Sequence, residues 1–246
     1  MVALTFRVNA ENAKITEVVK GLFIGGVCAL TPANIKDSGI SVIINTTEEV
    51  PNLKMLGDVQ FIKLWLEDTT QCVIYTHFEL IADQIQAILS TGGKVLIHSV
   101  HGISRSAAIC LAYLLKFRCK SLRDAYEMLA SNRPKVTPNI GFWRQLIAFE
   151  QEIKQTLGSV NIVRDERDPE KLIPDVYTKF ANHYNTYHTK KSGYGSRVTE
   201  NTSMKRKAEN HKRTLHRIGG SRHGPGTQFH PVLEPLPENI EVVAQK

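Results

Sequence analysis

The sequence predicts an α/β layer fold, a central and mostly parallel sheet flanked by helices, followed by a disordered basic C-terminal tail. Three observations carry that expectation. Short β-type runs alternate with helical patterns along the first two thirds of the chain. One run, "KVLIHS" at 94–99, is almost continuously apolar, as a strand in a buried position is. Charge then divides the chain: residues 1–177 carry equal numbers of basic and acidic side chains, so the whole formal charge of +7 belongs to 178–246.

Strands are predicted at "GLFIGG" (21–26), "SVIINTT" (41–47), "VQFIKLWL" (59–66) and "KVLIHS" (94–99). Between the third and the fourth, Phe78, Ile81, Ile85, Ile88 and Leu89 fall on one helical face, and "TGG" at 91–93 ends that helix. Three more helical segments follow: 104–118, "SLRDAYEMLASN" with Ser121 as N-cap, and "GFWRQLIAFEQEI" from 141. Pro134 and Pro138 punctuate the turn between the last two. From 178 the periodicity dissolves into His, Gly, Ser and basic residues, densest at "KRK" (205–207) and "HKR" (211–213). A solvated basic tail is the plainest reading; nuclear targeting, nucleic acid or an acidic partner are the alternatives.

A chain of 246 residues, 42% hydrophobic, has ample material for a core. No apolar run approaches the roughly 20 residues of a membrane span, and the N-terminal stretch lacks the long apolar region of a secretory signal. Cys28, Cys72, Cys110 and Cys119 form no C-x-x-C pair, and three of them lie in apolar stretches that read as core. Reduced thiols in the cytoplasm or nucleus, with no membrane, metal or cofactor, are expected.

The stretch "HSVHGISRS", 98–106, carries the chemistry. A strand ending near His98, a turn over Ser99–Ser104 and a helix from Arg105 aim backbone N–H groups and a helix dipole at one point, which suits a phosphate. Val100, His101, Gly102, Ile103, Ser104 and Arg105 are the predicted phosphate-binding residues. Gly102 permits a conformation or a close approach that a side chain would block, and Arg105 offers a planar fork for two phosphate oxygens.

This segment, H-S-x-x-G-x-S-R-S, resembles the H-C-x-x-G-x-S-R-S signature of dual-specificity protein phosphatases, with Ser99 where that family has its nucleophilic cysteine. The resemblance runs from "GLFIGG" through "RPKVTPNIGFWRQLIAFEQ" to "LIPDVYTKF" and is similar to the small atypical subgroup. It implies the dual-specificity/tyrosine phosphatase fold for 10–177. It also implies that Asp68 in "WLEDTT", 31 positions before Ser99, is the general acid, and that Arg105 binds phosphate. Ser106 would assist the nucleophile and turnover, and His98 would support the loop. Without the resemblance, Asp68 reads as an ordinary loop carboxylate and His98 as a structural histidine, while His101 points to solvent.

Serine at 99 changes the chemistry. A thiol near pKa 8.5 can be driven to about 3.5–7.5 by positive surroundings, whereas an alcohol stays protonated and needs an adjacent base. His98, its neighbour on a strand, should face the other way. The loop would still bind phosphate, and a neutral Ser99 removes a charge that would repel the dianion. A pseudophosphatase that binds proteins phosphorylated on Ser, Thr or Tyr is therefore expected. An active phosphatase carrying a Cys-to-Ser trap substitution gives the same sequence; the absence of any tag-like segment favours the natural variant. An RNA 5′-phosphatase, for which "VHG" at 100–102 and the basic tail would argue, and a scaffold indifferent to phosphate are the remaining alternatives.

Overall fold

The computed structural model describes residues 14–178 together with the strand segments β1 (Val8–Asn9) and β9 (Ala244–Gln245), which pair in parallel. The rest of the expected tail lies outside the described residues. The sheet contains β2 (Thr16–Val19), β3 (Leu22–Gly26), β4 (Val42–Asn45), β5 (Gln60–Lys63) and β6 (Val95–Ser99), in the order β2-β3-β6-β4-β5. Only β2 against β3 is antiparallel. The three central strands are buried at every residue, because parallel strands covered on both faces must be apolar throughout.

Period-two alternation divides these strands between two cores. Leu22, Ile24, Val42, Ile44, Val95 and Ile97 pack under α2 (Tyr75–Ser90), α3 (Arg105–Phe117), α4 (Leu122–Asn132) and α5 (Ile140–Lys154). Phe23, Ile43 and Leu96 pack on the other face with α1 (Pro32–Ser38) and the short turn Lys54–Leu56. Helix α3 is buried from Arg105 to Leu115, which explains why "SAAICLAYLL" is apolar all round. Ser121 caps α4 by accepting the Asp124 N–H at 3.1 Å, and Asn139 caps α5 by accepting the Phe142 N–H at 3.0 Å.

Register fixes the site. Gly26 lies opposite Ser99 and Asn45 opposite His98, so the carboxyl ends of β3, β6 and β4 form one rim. In open α/β sheets, ligands bind at that rim, where the chain order switches direction.

The structure adjusts the sequence reading in three places. The third strand stops at Lys63, and Leu64–Leu66 leave the sheet to form one wall of the site. Edge strand β2, helix α1 and the β7–β8 hairpin (Ile162–Arg164 and Leu172–Pro174) were not anticipated. Of the cysteines only Cys110 is fully buried, the other three being half-buried.

Candidate phosphate-binding site

The turn between β6 and α3 is held from outside through its carbonyl groups. Val100 O accepts the Val27 N–H at 2.9 Å, and Ile103 O accepts the Thr137 N–H at 2.8 Å. The Arg133 guanidinium donates to Gly102 O at 2.8 Å and to His101 O at 3.3 Å. In a trans peptide the next residue's N–H points opposite to the carbonyl, so the N–H groups of His101, Gly102, Ile103 and Ser104 turn away from these partners, toward the loop's centre. There the Gly102 N–H meets Ser99 Oγ at 3.0 Å.

Gly102 is needed on two counts. Its φ is +70°, and a Cβ would stand 2.4 Å from the Gly25 carbonyl carbon and oxygen. The loop thus closes directly on β3.

Ser99 and Ser106 are buried, with their hydroxyls 3.0 Å apart. Neither contact of the Ser99 hydroxyl is a base. His98 shares the α1 face with Leu96, whereas Ser99 shares the α3 face with Ile97. Burial, aided by the Lys63 charge, pushes the His98 imidazole down to about 3, so it is neutral at physiological pH. Its backbone serves the fold: His98 O accepts both the N–H and the hydroxyl of Thr46, at 3.0 and 2.8 Å. None of the four cysteines is a ready thiolate. Cys72, the one that feels Asp68 and Arg105, has its thiol pushed up by burial, as have Cys28, Cys110 and Cys119.

Arg105 is buried and gripped from behind. Its two terminal nitrogens meet the two oxygens of Glu49 at 2.7 Å each, and Nη1 also donates to Leu66 O at 3.0 Å. A guanidinium has five N–H groups, and these three bonds leave Nε–H and one Nη2–H, the edge that fits two oxygens of a phosphate. Nε has no hydrogen-bond partner and lies 3.9 Å from Asp68 Oδ2. Burial would raise the Glu49 carboxyl, but bonding to Arg105 and the charges of Arg105 and Lys63 outweigh that and hold it below its ordinary value.

Asp68 stands at the exposed edge, tied to the loop and to α5. Its Oδ1 accepts the Ser104 hydroxyl at 2.6 Å and the Asn139 side-chain amide at 2.9 Å. Ser104 Oγ in turn accepts the Asn139 N–H at 3.2 Å. The predicted residues, 68 and 98–106, are therefore neighbours, apart from the outward-facing His98 imidazole and the exposed His101. Sequence reasoning missed Glu49, Arg133 and Asn139. Asn139 alone left a local signal, as an Asn preceding a helix.

The sequence profile described as the dual specificity phosphatase catalytic domain matches residues 22–152, more than half of the chain. The chain belongs to the dual specificity phosphatase family. Human dual specificity protein phosphatase 14 is 35% identical over 174 residues, covering 70% of this chain and 85% of that protein. Human dual specificity protein phosphatase 21 is 38% identical over 165 residues, covering 67% and 84%. Among solved structures, human DUSP28 is 30% identical with a TM-score of 0.55, covering 57% of this chain and 95% of its own. The human tyrosine phosphatase-like serine/threonine/tyrosine-interacting protein is 31% identical with a TM-score of 0.51, covering 56% and 96%. The span matched to the phosphatase family contains Glu49, Asp68 and the whole 98–106 loop.

Proposed function

We propose that residues 10–177 form a phosphoprotein-binding domain that seats a phosphorylated Ser, Thr or Tyr side chain without hydrolysing it. The observation that carries this reading is the pairing of an intact anion seat with a nucleophile position that has no base. Inward N–H groups of 101–104 and the Nε–Nη2 edge of Arg105 face the phosphoryl oxygens. Ser99 presents a neutral hydroxyl, hydrogen-bonded to Gly102 N–H and Ser106, where an ionised thiolate would attack. Asp68 keeps the place of the proton donor to a leaving oxygen, yet a proton donor has no work when the first bond to phosphorus does not form. A solved relative named as an interacting protein supports the reading. The basic residues of 178–246 are left for an acidic partner or nucleic acid, and the protein for the cytoplasm or nucleus.

The test is binding of phosphotyrosine and phosphothreonine peptides to the protein and to Arg105→Ala, with phosphate release followed in the same samples. Binding that needs Arg105, without release, is the expected result. Release at an enzymatic rate, or binding indifferent to Arg105, would overturn it.

A further inference from the structure

The wall of the site made by residues 47–50 and 63–68 is acidic, and no step of the proposed function uses most of it. Glu48 is exposed, adjoins the Glu49 that holds Arg105, and acts on the Lys63 ammonium. Glu67 is exposed between Leu66, whose carbonyl holds Arg105, and Asp68. The one basic side chain among these residues, Lys63, is half-buried and already engaged: its ammonium donates to Val50 O and lies 4.7 Å from the centre of the Trp65 ring. Trp65 itself is 62% exposed, whereas the other tryptophan, Trp143, is fully buried. An exposed tryptophan whose ring already accepts one cation, linked through that Lys63 to Glu48 and two residues from Glu67, offers a cation a further aromatic face on an acidic wall. The centre of the same site is independently marked for an anion, because Arg105 Nε is buried, has no hydrogen-bond partner and faces only the Asp68 carboxylate, at 3.9 Å.

We propose that this rim selects phosphopeptides with Arg or Lys next to the phosphorylated residue, the cation meeting the Glu48 and Glu67 carboxylates and stacking on Trp65. The inference rests on the phosphate-binding reading and adds a substrate class to it: acid-flanked phosphosites are repelled by the rim and base-flanked ones are drawn to it.

The test uses the full chain and three fluorescent phosphotyrosine peptides, identical except for Arg, Ala or Glu on either side of the phosphotyrosine. Anisotropy should give the Arg-flanked peptide about tenfold tighter binding than the Ala-flanked one at about 0.1 M salt, with the Glu-flanked peptide weakest. The Arg-over-Ala preference should shrink at high salt. In the double variant Glu48→Gln/Glu67→Gln, shown to be folded by its thermal transition, it should fall below about twofold. Arg105-dependent binding of the Ala-flanked peptide with no preference for Arg would overturn this inference alone. So would a preference that survives in the double variant. Failure of all three peptides to bind would overturn it together with the function on which it rests.

Discussion

The 99–105 loop and the 65–69 segment face the same site but are built in opposite ways. Every carbonyl from Val100 to Ile103 is tied to the scaffold, and Ser99, Ser104 and Arg105 are buried. Across from it, Trp65, Glu67 and Asp68 are exposed, and Asp68 is tied only by side-chain contacts to Ser104, Asn139 and Arg105. The difference teaches where substitutions are tolerated. On the proposed reading, the embedded loop is an anion seat that serine in place of cysteine at position 99 would leave undisturbed, so that binding would persist without chemistry. Leu66 anchors the segment in the core, but the exposed side chains of Trp65, Glu67 and Asp68 can vary without unfolding the domain, which suits them to choosing among partners.

The largest expected effect is a gain of turnover at position 99. Ser99→Cys should raise turnover of a small aryl phosphate by on the order of a thousandfold or more, since a thiolate needs no separate base. Continued inertness of a correctly folded Ser99→Cys protein would mean that the loop's electrostatics have also changed. Next comes the embedding itself. Gly102→Ala places a methyl against the Gly25 carbonyl at a left-handed backbone position and should cost about 3 kcal/mol of stability, read by chemical denaturation. Asp68→Ala, by contrast, should cost under about 1 kcal/mol, as an exposed polar contact does. Glu49→Gln should weaken phosphopeptide binding about fivefold, because one charged grip on Arg105 is lost and the fork is no longer held at its angle.

The fold also carries a pH dependence, through His98. His98 has an ordinary value of 6.5 and is held at about 3 in the fold, so between those values the unfolded chain binds the extra proton. Its contribution to stability is complete above pH 6.5 and is lost as the pH falls from there toward 3. His98→Asn should flatten that part of the stability profile; an unchanged slope would show that the imidazole titrates normally in the fold.

What the sequence made legible was local. The apolar run of β6, the Ser121 cap and the Gly102–Arg105 turn are each written in a few consecutive residues, and all appear where expected. Resemblance added Asp68, which the structure puts 3.9 Å from Arg105. The missed residues act across the chain: Glu49 meets Arg105 from 56 positions away, and Arg133 holds Gly102 O from 31. No periodicity marks a carboxylate whose only distinction is the side chain it will meet after folding. Helix α1 is a different case, for Thr31 followed by Pro32 is a readable start, and the Thr31 hydroxyl does accept the Asn34 N–H at 3.2 Å. The short β7 and β8 strands, three residues each, are below the length at which alternation can be recognised.

The central claim is that the phosphoryl group is seated by Arg105 and the inward N–H groups and then left intact. Nuclear magnetic resonance tests both halves in one tube. On addition of a phosphotyrosine peptide, the Arg105 Nε–H and the backbone amides of 101–104 should shift together, while the phosphorus signal of the peptide keeps its area over hours. Appearance of inorganic phosphate, or saturation binding that leaves the Arg105 Nε–H unmoved, would contradict the account.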